Sequence, residues 1–175
     1  MTKGSRRAGG FTLVELILVM IVIFTLATVV APRFTDFFPS FQVRKSGELL
    51  LAWAHKAKSD AALTGARQRL ALDLTNRKFW IEVEMRPLKE PGKFTALSGA
   101  WSPETLPGEV MFESIEITPV DASSSSGSLR YIEFRPDGTA GEATVIVAND
   151  VGDRQTLRVE AATSKIYLQS AEQQP

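Results

Sequence analysis

The sequence predicts an α+β fold: one long N-terminal helix followed by antiparallel β-sheet. Three observations carry this. Apolar residues first surround a helix over residues 11–31 and then follow steps of three and four up to Gly65. From Arg69 onward the apolar period switches to two. Tight-turn residues then separate short apolar runs to the end of the chain. The chain has 175 residues, 44% hydrophobic and 23% charged, which suits one globular domain with an appended segment.

Residues 11–31 read FTLVELILVMIVIFTLATVVA, and only Thr12, Glu15, Thr25 and Thr28 among them are polar. A helix of about 21 residues rises about 31 Å, the thickness of a bilayer's hydrocarbon core. Lys3, Arg6 and Arg7 precede the run, and Arg33 is the first charge after it. That bias predicts a transmembrane helix over residues 11–32 with a cytoplasmic N-terminus and the rest of the chain outside the cytoplasmic membrane. A cleaved secretory signal would have a shorter apolar region and a small-x-small site. The end of this run, Val30-Ala31-Pro32-Arg33, is a poor site of that type. A plain signal anchor accounts for the apolar run and its flanking charges but leaves Glu15 unexplained. A carboxylate that deep in lipid costs on the order of 3 kcal/mol, and such a group usually has a partner.

Residues 33–66 predict the amphipathic half of the same helix. Leu49, Leu50, Trp53, Ala54, Ala57 and Ala61 share one face. Pro32 and Pro39 each lack a donor and clash with the preceding turn, so a bend or local break is expected at each. Gly65 is the expected stop.

Residues 67–175 read as a β-rich domain. Phe79, Ile81, Val83 and Met85 fall on one strand face, with Trp80, Glu82 and Glu84 opposite. Further strands are expected at 110–118, 130–135, 143–148, 156–159 and 166–168. Asn76-Arg77, Pro136-Asp137-Gly138 and residues 150–153 supply the turns. Residues 89–109 form a long Pro/Gly-rich insertion carrying Phe94, Leu97, Trp101 and Leu106. Two readings fit it: a lid over one sheet face, or a contact surface for another protein. Residues 121–128 read as a polar, flexible connection.

Composition narrows the chemistry. There is no cysteine, so disulfides, thiol catalysis and zinc–thiolate sites are excluded. His55 is the one histidine and lies beside Lys56 and Lys58 on the expected helix, as an ordinary solvated residue does. A Ser-His-Asp arrangement would have to use it, and a histidine-rich metal site cannot be built. Asn149, Asp150 and Asp153 lack the full ligand spacing of a calcium hand and read as a β-turn. No catalytic residue, metal site or cofactor is assigned. Arg44, Lys45, Lys56, Lys58, Arg67, Arg69, Arg77 and Lys78 concentrate on the helix and first turn. Removing residues 1–10 nevertheless leaves 17 basic against 20 acidic side chains, a net of −3, with no bulk pull on nucleic acid.

Gly10-Phe11-Thr12-Leu13-Val14-Glu15, after its short basic leader, resembles the processing site of type IV pilins and type II secretion pseudopilins. Residues 131–140, YIEFRPDGTA, resemble the strand–turn signature of the GspH/FimT group of minor pseudopilins and minor pilins, with Pro136, Asp137 and Gly138 as the fold-marker turn. The resemblance implies a pilin-like fold and cleavage of a 1–10 leader by a prepilin peptidase after Gly10. It also implies N-methylation of Phe11, a role for Glu15 and Phe11 in subunit assembly, and a helix kink at Pro32. It implies a non-enzymatic subunit held in the bacterial inner membrane, with its globular part in the periplasm and other pseudopilins or pilins as partners. The first reading is a minor pseudopilin of a type II secretion apparatus. A minor type IV pilin, in pilus assembly or DNA uptake, is the second. A single-pass anchor for an independent binding domain is the third.

Overall fold

The opening apolar run forms helix α1 (Leu13–Thr35), and its charged, amphipathic continuation forms α2 (Phe37–Thr64). The computed structural model describes residues 12–35, 37–118, 125–161 and 163–170. It divides into two compact units, Met1–Phe38 and Pro39–Pro175.

In the first unit, every large apolar side chain described from Leu13 to Leu26 is at least 45% exposed, with no buried stripe. Among the described residues no helix is long and apolar enough to cross a membrane. The described side chains of α1 end at Ala27, about 22 Å of rise from Leu13, against about 30 Å of hydrocarbon. The backbone stays helical through Pro32, three residues before α1 ends.

In the second unit, Pro39 sits in the first turn of α2, where a missing N–H costs nothing. The helix ends where the sequence predicts. Gly65 adopts φ 67° and donates its N–H to the Ala61 carbonyl at 3.1 Å, a left-handed stop. Leu50, Trp53, Ala54, Ala57 and Ala61 are buried, and Leu49 packs against them. Ser46 is also buried on this face and donates its hydroxyl to the Gln42 carbonyl at 2.8 Å.

Among the described residues ten strands follow, all paired antiparallel: β1 (Gln68–Asp73), β2 (Lys78–Glu84), β3 (Phe94–Ala96), β4 (Glu104–Thr105), β5 (Met111–Thr118), β6 (Ser125–Ser126), β7 (Leu129–Phe134), β8 (Glu142–Ala148), β9 (Arg154–Val159) and β10 (Ile166–Ser170). One sheet runs β3-β2-β1-β7-β6, with β4 on the same edge of β2 as β3. The other runs β10-β9-β8-β5. Of the last six strands, β5, β7, β8, β9 and β10 fall on the runs the period-two pattern marked, within two residues at each end, while β6 falls in the expected 121–128 connection.

In the first sheet Leu70 lies opposite Ile81 on one side and Ile132 on the other. All three are buried, as are Leu72, Phe79 and Phe134 on the same face. α2 closes that face: Trp53 meets Phe79 edge-on, ring centres 5.0 Å apart at 81°. It also approaches the second sheet, where a Cβ on Gly47 would lie 2.5 Å from Gln155 Cγ. Val145, Val147, Leu157 and Val159 complete one continuous core between the sheets and the helix.

Two expectations need correction. Met85, expected on the face of Phe79 and Ile81, lies beyond the end of β2 at 68% exposed, whereas Glu84 keeps the outer face of Trp80 and Glu82, as expected, and is nevertheless 1% exposed. Glu84 is drawn in by Arg67, whose Nε and Nη2 each donate to it at 2.7 Å. The 89–109 insertion is also not featureless, since it contains β3, a 3₁₀ turn (Gly99–Trp101) and β4. Leu106 is buried, and Trp101 packs edge-on against Trp53 at 5.0 Å, so this segment covers the end of the core as a lid.

Phe79 joins the helix to the sheet. Replacing it with Ala is expected to lower unfolding free energy by about 3–5 kcal/mol, measured by urea denaturation followed through tryptophan fluorescence.

Candidate functional site

Two places in the molecule combine unusual side chains: the start of α1 and the outer face of the first sheet. At the first, Thr12 caps the helix. Its carbonyl accepts the Leu16 N–H at 3.2 Å, and its hydroxyl accepts the Glu15 N–H at 3.3 Å. Thr-x-x-Glu is the helix-start signature in which the acid three residues on sits against the positive end of the helix. Thr25 turns its hydroxyl back on the Ile21 carbonyl at 2.7 Å, which satisfies a polar group within an apolar helix. Among the described residues the Glu15 carboxylate has no partner, and it is exposed in the first turn. Gly10 and Phe11, the expected cleavage and methylation residues, lie outside the described residues.

At the second, the register sets Arg69 opposite Glu82 on β2 and Glu133 on β7. Arg69 Nε donates to Glu82 at 2.6 Å. Its guanidinium lies between two rings, 4.1 Å from the centre of Phe94 and 3.9 Å from that of Tyr131. Trp80 donates its indole N–H to Glu82 at 2.8 Å. Arg67 reaches Glu133 at 3.3 Å in addition to Glu84. Glu84 further accepts the Gly92 N–H at 2.6 Å, which closes the base of the loop after β2. Arg67 and this backbone donor hold the Glu84 carboxyl below its ordinary value, against the opposing effect of burial. Arg67 is raised in turn, chiefly by Glu84. These charges satisfy one another, and no nucleophile–base pair is built here.

The remaining sequence candidates have structural explanations. Pro136, Asp137 and Gly138 form the turn after β7: Asp137 Oδ1 accepts the Thr139 N–H at 2.9 Å and its hydroxyl at 2.6 Å, and Gly138 takes φ 83°. Asn149 Oδ1 accepts the N–H groups of Gly152 and Asp153 at 3.0 and 2.9 Å. Asp153 accepts from Ser40 at 2.8 Å, so this turn fastens the start of α2. Among the described residues no group of three or more His, Asp or Glu could hold a metal ion. His55 is exposed beside an open cavity of about 590 Å³ shared with Lys58, Glu160, Lys165 and Tyr167. Of the polar 121–128 connection, residues 121–124 lie outside the described residues and Ser125–Ser126 form β6.

No family model matches the chain, and no curated protein matches it in sequence. Solved structures do match. Two of the minor pseudopilin EpsH from the Type 2 Secretion System of Vibrio cholerae align with TM-scores of 0.59 and 0.60, each at 9% identity. They cover 75% and 78% of this chain and 99% of theirs. The chain has a pilin-like fold, shared with a minor pseudopilin. The type IV minor pilin FimU of Pseudomonas aeruginosa aligns at 0.49 with 14% identity, over 76% of this chain and 92% of its own. At 9% identity the likeness is one of fold.

The reading from the residues missed the Arg67–Glu84 pair. Its signal was the acid that ends β2, where the period-two pattern meets a basic residue before β1. The depressed Glu84 carboxyl contributes stability that is present above its unfolded value near 4.5 and lost as pH falls through the lower folded value. Glu84→Gln is expected to cost about 2 kcal/mol at neutral pH and to flatten the loss of stability below about pH 4.5, measured by denaturation across a pH series.

Proposed function

We propose that the chain is a minor pseudopilin-like structural subunit of a type II secretion filament. It is made as a precursor, cut between Gly10 and Phe11, and works by packing with other pilin-like subunits without catalysing a reaction. The observation that carries this reading is the fold match over 99% of a minor pseudopilin, taken with the Gly-Phe-Thr-Leu-Val-Glu run ahead of an apolar helix. The FRPDG turn after β7 supports the same group. On this reading residues 11–32 span the inner membrane, the globular unit lies in the periplasm, and Pro32 bends the helix where it leaves the bilayer.

Glu15 is the residue on which assembly depends. An unpaired carboxylate among lipid tails is costly. Cleavage creates a positive amine on Phe11. In a bundle of packed helices, Glu15 of one subunit meets that amine on its neighbour. Opposite charges about 4 Å apart and away from bulk water attract far more strongly than at a surface. The pairing cancels two desolvation penalties and sets one axial register. The exposed apolar sides of α1 supply the remaining contact area.

Two measurements test this. Mass spectrometry of the mature protein is expected to find N-methylated Phe11 as the first residue; a chain beginning at Met1, or after Ala31, removes the reading. Glu15→Ala is expected to leave membrane insertion and cleavage intact, since losing a charge improves the span. It should abolish co-purification with the other filament subunits and lower secretion. Full co-purification and secretion by this variant would show that charge pairing has no role here.

A further inference from the structure

Among the described residues, the globular unit exposes large apolar side chains in two groups, one at each end of α2. Leu63, Met85 and Leu88 stand at the C-terminal end, where the Glu84 N–H donates to the Arg67 carbonyl at 2.9 Å and brings the end of β2 beside the end of the helix. Phe41, Met111 and Val151 stand at the N-terminal end, 55%, 49% and 70% exposed. Three contacts gather this second group. Ser40 donates to Asp153 at 2.8 Å, which sets the turn carrying Val151 against the start of α2. Met111 pairs with Ala148 at the base of that turn. Gly108 lies flat on the Gln42 side chain, which a Cβ would overlap, and this brings the approach to β5 against the residue after Phe41. The turn itself is ordered. Asn149 Oδ1 accepts the Gly152 and Asp153 N–H groups, and its amide donates to Asp153 at 3.0 Å, so Val151 is presented on a fixed backbone.

Charge gives this end little character. The pairs Arg44–Glu48 and Arg154–Glu113 cancel. Lys45 and Arg77 then stand against Glu109, Asp150 and Asp153, two against three, a net of −1. Arg77 is turned onto the Gly108 and Val110 carbonyls at 2.7 and 3.4 Å, and Asp153 is held by Ser40 and Asn149. So nearly neutral a surface exerts no strong pull on a charged partner. What it offers is apolar.

The chain itself supplies an apolar partner. α2 begins two residues after α1 ends. On the reading in which residues 11–32 span the bilayer, Phe41 is nine residues past the span. The chain then holds Phe41 within about 30 Å of the hydrocarbon if fully extended, and within about 14 Å if helical. Leu63 lies about 33 Å farther along α2. The tether therefore gives the Phe41 end a far higher effective concentration of lipid than the Leu88 end. We infer that the Phe41–Met111–Val151 end is a lipid-resting surface. Before assembly it lies on the outer face of the membrane, with these three side chains at the boundary of headgroups and acyl chains. Three side chains are too few to bind a membrane alone; tethered, they need only turn the unit one end down. This inference rests on the membrane-anchored reading and adds the surface by which the globular unit meets the bilayer.

The chain has no cysteine, so one engineered thiol carries a nitroxide at a chosen place. Full-length Val22→Cys, Val151→Cys and Leu88→Cys proteins are labelled and placed, at a low protein-to-lipid ratio, in phosphatidylcholine nanodiscs open to solvent on both faces. Oxygen, which collects in lipid, and a water-soluble nickel chelate then compete to relax each label. The Val22 label is expected to read lipid, the Leu88 label water, and the Val151 label several-fold more oxygen relative to nickel than the Leu88 label. Phe41→Ser with Met111→Ser should return the Val151 label to the Leu88 value, and neither high salt nor added anionic lipid should change it. A Val151 label as wet as the Leu88 label, with the Val22 label in lipid, overturns the inference and spares the anchored reading. A Val22 label in water overturns both. A Leu88 label in lipid with a wet Val151 label would mean that the unit rests on its other end, and overturns the inference. A Val151 signal lost in high salt, or kept after both serine changes, does the same, since the apolar side chains would then not hold the lipid. Dipolar broadening of the Val151 label would mean that a second copy covers the patch, and overturns it too.

Discussion

The edge-on contact between Trp53 and Phe79 is where helix and sheet become one body. α2 must bury one face against two sheets at once, and its sequence divides the work. Trp53 and Leu50 fill the deep space over the first sheet. Gly47, Ala54, Ala57 and Ala61 keep the rest of the face low enough for the strands to come close. Larger residues at the alanine positions would lift the helix off the sheet; smaller ones at Leu50 and Trp53 would leave voids. Trp101 then reaches over from the long insertion and lies edge-on against Trp53, so the lid depends on the same indole.

The outer face of the first sheet solves a different problem. Strand β1 has neighbours on both sides, so its outward residues meet two partners each. Arg69 uses this fully: an acid on β2, a ring on β7 and a ring from β3 around a single guanidinium. A lysine could not replace it, because the stack needs a flat cation. Ala71, the next outward residue, is fully buried between Trp80 and Tyr131, its partners across the ladder. The face is covered without a second helix.

The legible parts of this fold are those where one rule dominated. The α2 stripe and its glycine stop followed from spacing alone, and the later strands from alternation bounded by turn residues. The failures came where two rules competed. At Glu84 alternation set the face, and a buried ion pair with Arg67 closed that face over it, which no periodicity can announce. β1 went unmarked as a strand of its own because Arg69 within it and Arg67 just before it break the apolar run, yet both are satisfied only once the sheet exists. β3 and β4 are too short to show a period, and the edge of β2 holds them in place. At the start of α1 the sequence showed the acid and the apolar run; the Thr12 cap was also present in Thr-x-x-Glu but passed unread beside the stronger membrane signal.

The order of strands in the first sheet constrains how the chain can fold. β1 meets β2 across a tight turn soon after both are made, but its other neighbour, β7, begins only at Leu129. Until then the central strand has one bare edge, and Leu70 and Leu72 lack the shelter of Ile132 and Phe134. The second sheet waits longer still, since β5 finds its partner only when β8 is complete at Ala148. Non-local pairing of this kind is slow, because loop closure must precede any gain from contact. An emerging chain therefore presents an open strand edge from the completion of β2 at Glu84 until β7 is complete at Phe134, a risk for aggregation. Both sheets can close over the helix only after β7 and β8 have been delivered.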